Sequence, residues 1–167
     1  MVALEKVLDD TLFKRAMGSF VTGVTVLTTE VQGKVHAMTA NAFSSLSLHP
    51  PLLLVCIHEN AKMSELLAHG HPFCVNLLSQ SQRELSGYFA GFSTTATFPA
   101  FSFLPFAHTQ RLDGAICSVA CQVEERVHSG DHVIVIGRVQ EVVFPDEMTQ
   151  PLVYFQGQYY DLQKLEN

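Results

Sequence analysis

Tryptophan is absent from the 167 residues, and Asp, Glu, Lys and Arg together make up only 16% of them, against 47% hydrophobic residues. So little charge beside so much apolar material excludes intrinsic disorder as the general state. Long apolar runs are also missing. The longest unbroken one is the segment Leu52–Ile57, far short of the roughly 18 residues that span a bilayer, so no membrane span is expected. Basic residues are scarce: 10 Lys and Arg stand against 16 Asp and Glu, a formal net charge of −6. That balance lacks the clustered positive surface that nucleic acid or an anionic membrane requires, and neither is an expected partner. A phosphorylated ligand would have to be met by local dipoles and hydroxyls rather than by a global field.

Paired cysteines are missing too. Cys56, Cys74, Cys117 and Cys121 contain no CxxC. The segment Ala115–Val123 reads as a strand, which would set Cys117 and Cys121 about 13 Å apart at roughly 3.3 Å per residue. A disulfide needs Cα atoms within about 7 Å, so four reduced thiols in a cytoplasmic protein are expected. Met1–Asp10 carries Glu5, Asp9 and Asp10 and no basic stretch before an apolar one, unlike a secretory signal. Neither GxGxxG nor GxxxxGK[ST] occurs, which removes the phosphate-cradling loops of the common nucleotide folds. HExxH and GxSxG are absent as well. His58, His69 and His71 have no Cys, Asp or Glu at metal-site spacing, so no metal is expected.

What is present is a chain of one-domain length, read as a single unit over 1–167. Thr11–Met17 reads as a short helix with Asp9 and Asp10 at its start. Val21–Thr29, rich in β-branched residues, Val35–Ala42, Pro51–Ile57 and the short buried segment Phe73–Leu78 read as strands. Asn60 is positioned to cap a helix over Ala61–Ala68 that Gly70 ends. Ser79 and Gln82 have the spacing of a capping box for a helix reaching about Ala90. Gly91–Leu112, Phe-rich and broken by Pro99 and Pro105, has no clear period and reads as a long loop. Ala115–Val123 and His132–Phe144 read as strands around a turn at Ser129–Asp131, and Pro151–Tyr160 as a last strand. Six or seven strands with two or three short helices favour a mainly β, antiparallel barrel with peripheral helices.

Two stretches could carry chemistry. Thr39–Ser47 places one Thr hydroxyl, one Asn amide and three Ser hydroxyls within a strand and turn, a set suited to the edge of a neutral heteroaromatic ring or to a phosphate. Asp131–His132 follows a turn, and a carboxylate beside an imidazole can fix its tautomer.

An ordered set of segments points further. Phe13–Gly18, Thr22–Thr28, Met38–Leu48, Pro50–Ile57, Phe73–Leu78, Gly130–His132, Ile136–Val139 and Pro151–Tyr159 follow one another as in the short-chain flavin reductases, which the chain resembles over nearly its whole length. The resemblance implies a split antiparallel β-barrel that binds FMN or FAD, works as a homodimer and takes NADH or NADPH as co-substrate. It implies hydride transfer from nicotinamide to flavin, with reduced flavin supplied to a separate oxygenase. A flavoprotein that keeps its flavin and reduces another acceptor, or a non-enzymatic flavin-binding protein, is the alternative on the same fold. The resemblance places Met38, Thr39, Ala40, Asn41, Ser44, Ser45, Leu46 and Ser47 along the isoalloxazine. It places Cys56, Ile57, Lys62 and Ser64 near the ribityl phosphate, and His132 beside the nicotinamide, with Tyr159 a second candidate there. Segment 91–112 matches no pattern of the family.

Overall fold

The computed structural model describes residues 9–92, 99–147 and 149–163. They form a mainly β, antiparallel architecture with three short helices. The first helix, α1 (Asp10–Gly18), starts where the Asp9 side chain accepts a hydrogen bond from the Leu12 amide at 2.7 Å. None of its residues is buried, and Phe13 and Met17 stay exposed.

The expected strand at Val21–Thr29 is divided in two. β1 (Thr22–Gly23) joins a three-stranded sheet with β11 (Val153–Phe155) and β12 (Gln158–Tyr160). β2 (Thr25–Val31) enters a seven-stranded sheet. Val24, between them, is buried where the two sheets meet. The last strand of the sequence reading is likewise a hairpin, turned by Gln156 (φ 48°) and Gly157 (φ 79°). Positive φ is routine for glycine, and Gly157 supplies that freedom here.

The large sheet contains β3 (Lys34–Ala40), β4 (Phe43–Ser47), β5 (Leu52–His58), β6 (Pro72–Leu77), β9 (Cys117–Ser129) and β10 (His132–Val143) beside β2. Its order is β3-β2-β6-β9-β10-β5-β4. The sheet is not closed into a barrel, and among the described residues neither β3 nor β4 has a ladder on its outer edge. β5 and β10 alternate buried and less buried positions, the period-2 pattern of a strand with one face on a core. Leu53, Val55, Ile57, Phe73, Val133 and Val135 pack together there. At Gly137 on β10 an added Cβ would stand 2.6 Å from the Phe73 ring, so only glycine lets the strand pass that close. Burying roughly twenty apolar side chains in this way, at about 1.5–3 kcal/mol each, is the principal stabilisation.

Four local readings are corrected. Ser44–Ser47 is not a turn but β4, an exposed edge strand paired with β5; its serines face solvent, so apolar alternation gave no strand signal. Segment 91–112, read as a loop, contains the hairpin β7 (Phe103–Phe106) and β8 (Thr109–Leu112), with Pro105 tolerated on a two-stranded edge. Helix α2 spans Lys62–Leu66, and Ala61, not Asn60, occupies its N-cap without a side-chain bond. Among the described residues the strands number twelve, most of the excess being pieces of two to four residues. The capping box at Ser79 and Gln82 does form, opening a 3-10 turn that continues into α3 (Arg83–Phe89). No helix among the described residues is long and apolar enough to cross a membrane. Cys56, Cys74, Cys117 and Cys121 are free thiols.

Candidate active site

β3 delivers Thr39, Ala40 and Asn41 to the rim of a cleft of about 380 Å³, within the roughly 300–1,000 Å³ of small-molecule sites. The C-terminal hairpin supplies the opposite wall through Tyr154 and Tyr159, whose rings lie 5.4 Å apart. Helix α3 contributes Ser86. The end of β3 is pinned from both sides. Thr25 Oγ1 donates to the Ala40 carbonyl at 2.6 Å, and Thr39 Oγ1 donates to the Ser86 carbonyl at 2.7 Å. Ser86 Oγ and the Tyr159 hydroxyl share a hydrogen bond of 2.8 Å, and the Arg83 guanidinium lies over the Tyr159 ring, 5.1 Å from its centroid. The Asn41 side chain is exposed and makes no hydrogen bond among the described residues. The cleft therefore combines an apolar floor (Val24, Ala40 and Ala90), an aromatic wall and free polar groups along one rim. That donor set suits a flat, uncharged heteroaromatic system such as a flavin ring.

The remaining expected residues lie outside this cleft. Met38 is half-buried and packs on the main core. Ser44, Ser45 and Leu46 are exposed on β4, and Ser47 is partly covered. Cys56 donates its amide to the Ala42 carbonyl at 2.9 Å, just beyond Asn41. Ile57 is fully within the core. At α2, Lys62 is exposed near His36 of β3, whose imidazole pKa is held down by burial first and by the Lys62 and Lys34 charges second. Ser64 is 2% exposed, and both its carbonyl and hydroxyl accept from Arg126 Nη2, at 2.9 and 3.3 Å. A ligand arriving at α2 meets the Lys62 ammonium rather than the Ser64 side chain.

His132 opens β10 opposite His58 of β5. Its Nδ1 lies 2.7 Å from Asp131 Oδ1. That hydrogen bond, ahead of the neighbouring imidazole charges, draws the Asp131 pKa below its ordinary value. An ionised carboxylate can only accept, so His132 Nδ1 carries the proton and Nε2 is left for a ligand. The His58 ring stands edge-on at 5.3 Å from that of His132. No metal-binding cluster occurs among the described residues.

Sequence reasoning missed Ser86, Tyr154 and Arg83. Their spacing carries a signal only once α3 is placed: Arg83 and Ser86, three residues apart, share one helix face.

Residues 17–163 match the profile of the flavin reductase like domain. The chain belongs to the flavin reductase-like family. It is 37% identical over 155 residues to the NADH-dependent flavin reductase StyB of Pseudomonas fluorescens, covering 92% of this chain and 90% of the relative. It is 37% identical over 147 residues to the reductase component of 4-hydroxyphenylacetate 3-monooxygenase from Thermus thermophilus, covering 88% and 93%. Among solved structures, flavin reductase PheA2 in its native state superposes with a TM-score of 0.87 at 43% identity, covering 94% of this chain and all of that one.

Proposed function

We propose that this chain is an NADH-dependent flavin reductase that passes a hydride from the dihydronicotinamide to FMN or FAD and supplies reduced flavin to a separate monooxygenase. The observation that carries the reading is the uncharged, aromatic-walled cleft at the end of β3, with the Asn41 carboxamide free at its rim, in a chain of this family. Relatives named NADH-dependent flavin reductase and monooxygenase reductase component support the donor and the partner.

Flavin, when bound, supplies the redox chemistry; the protein supplies binding and orientation. Asn41 and the backbone of Thr39 and Ala40 hydrogen-bond the polar edge of the ring. Tyr159, fixed through its hydroxyl by Ser86, holds the ring's position from the side. Lys62 meets the flavin phosphate beside Cys56, Ile57 and Ser64, and β4 with Ser44–Ser47 flanks that path. His132, tautomer set by Asp131, accepts a hydrogen bond at Nε2 from the nicotinamide carboxamide. Holding two rings in near-attack geometry removes several kcal/mol of barrier, and no general base is required for the hydride itself.

The open seven-stranded sheet is read as the split barrel of the family, one domain over 1–167, working as a homodimer. Two features support the dimer. Phe13, Met17, Phe20 and Val21 form a run of exposed apolar side chains at the chain's start, with Leu46 and Leu48 exposed on and after β4. Lys62 and His132 also lie off the cleft within one chain, and a second copy accounts for their joining it. The free thiols support a reducing, cytoplasmic setting.

The test is oxidation of NADH followed at 340 nm with FMN, FAD and riboflavin in turn. Flavin-dependent turnover with exchangeable flavin is expected. A yellow protein that keeps its flavin through gel filtration would favour reduction of another acceptor, and no NADH oxidation would leave a flavin-binding protein only.

A further inference from the structure

Both ligands of the proposed reaction are anionic, yet the cleft is lined by no charged residue and the chain carries a net charge of −6. Their phosphates need a cation close by. The arginines of the described residues sort clearly. Arg126 is bonded to Ser64, Arg138 lies 2.7 Å from Glu124, and Arg111 faces Asp113 at 3.9 Å. Arg15 sits in the last turn of α1, on a helix that buries nothing. Arg83 differs from all of them. It is exposed, has no carboxylate within ion-pair distance among the described residues, and stacks over a ring that walls the cleft.

We infer that Arg83 is a nucleotide-phosphate contact at the mouth of the Thr39–Tyr159 cleft, an inference that rests on the flavin reductase reading. Held over the Tyr159 ring, with no carboxylate beside it among the described residues, the planar guanidinium keeps N–H groups available for bidentate bonds to phosphate. The same residue type could not do this as a lysine, whose ammonium has no such plane. Helix α3 thereby fixes Tyr159 twice, its hydroxyl through Ser86 and its face through Arg83, and turns one wall of an uncharged site into an anion reader. With Lys62 at α2, two phosphate-bearing nucleotides have two cations. The phosphate could be that of the nicotinamide dinucleotide or that of the flavin nucleotide, and the two are separable.

The experiment compares wild type, Arg83→Ala and Arg83→Lys with ligand pairs of which one member lacks phosphate. NADH is set against 1-benzyl-1,4-dihydronicotinamide, and FMN against riboflavin. The expected result is a KM raised about 10–150-fold, the range for losing a charge-assisted hydrogen bond, for one phosphate-bearing ligand in Arg83→Ala. Arg83→Lys should recover only part of it, and the phosphate-free partner should keep its wild-type KM. A rise confined to NADH assigns the dinucleotide, and one confined to FMN assigns the flavin. Unchanged KM values throughout, or equal rises with and without phosphate, would overturn the inference, the latter leaving Arg83 as a support of Tyr159 alone. Thermal midpoints of the three proteins identify a folding defect, and Arg83→Lys then carries the comparison. If wild type oxidises no NADH, the functional reading fails separately. Fluorescence titration with FMN and riboflavin, and with NADH and the benzyl compound, then tests Arg83 by binding alone.

Discussion

Asn76 lies on β6 with none of its surface exposed, and its carboxamide is fully engaged. Its nitrogen donates to the Val26 carbonyl and Thr28 Oγ1 at 2.9 and 3.0 Å, while its oxygen accepts from the Leu112 amide and Ser118 Oγ at 2.8 and 2.9 Å. Four strands, β2, β6, β8 and β9, are tied through one side chain. Asn41, two residues before β4, carries the same group in the open, with no side-chain partner among the described residues. A buried carboxamide left half-satisfied would cost free energy, so Asn76 has to be saturated. An exposed one can wait for a ligand without penalty. The difference separates residues that hold the molecule from residues free to act, and it can be probed from the larger effect to the smaller.

Asn76→Ala strips five bonds, a weak one from Cys74 Sγ included, and strands buried groups on three neighbouring strands. Urea unfolding should register a loss of about 2–5 kcal/mol, with flavin affinity of the remaining folded protein close to wild type. Next comes alkaline pH. Burial pushes the Cys74 and Cys121 thiols up to about 12 from an unfolded value of 9.0. Groups whose folded pKa is raised hold their protons in the native state, so stability is intact below pH 9 and declines as pH rises from 9 toward 12. The urea midpoint should fall across that window, and a Cys74→Ala, Cys121→Ala double variant should show a flatter alkaline limb. Asn41→Ala should reverse the pattern of Asn76→Ala: an unfolding free energy within about 0.5 kcal/mol of wild type and a KM for flavin raised about 5–10-fold. An Asn41 variant that unfolds early would erase the contrast. The smallest shift is expected at His132→Ala, a KM for NADH raised about three-fold or more with flavin affinity nearly constant; unchanged NADH kinetics would remove His132 from the site.

The core strands were legible because their residues satisfy one condition at a time. Pro51–Ile57 is apolar and Phe73–Leu78 nearly so, Asn76 apart, and they form β5 and β6. The Ser79–Gln82 spacing is a local device and forms where its residues fall. The misread elements are those whose structure depends on distant chain. Ser44–Ser47 is a strand because β5 offers it an edge, and Phe103–Leu112 folds as a hairpin although its prolines and aromatics hide any period. Val24 interrupts a strand that its own neighbours would have continued, because β1 is recruited by β11. At the site, Thr39, Ala40, Asn41 and Tyr159 do come together in one cleft. Ser86 and Arg83 escaped notice because a serine and an arginine on a short helix carry no message until the hairpin of Tyr159 is laid against them.

That hairpin wall joins the sheets through a short ladder and is otherwise held by side chains and loop bonds, Ser86 to Tyr159 and the Leu152 amide to the Leu78 carbonyl among them. β1 and β11 meet in only two register pairs, Thr22 with Tyr154 and Gly23 with Val153, whereas β9 and β10 run together from Ser129 to Ser118 along β9. Regions with few ladder bonds open locally at a small fraction of the free energy of global unfolding. The amides of β11 and β12 should therefore exchange with solvent deuterium before those around Asn76, slowed only as far as the Ser86–Tyr159 bond and the Leu152 amide's bond to the Leu78 carbonyl hold the hairpin in place. For a catalyst whose product has to be handed away, a wall held by side-chain bonds rather than by a long ladder lets residence time be tuned separately from the stability of the fold.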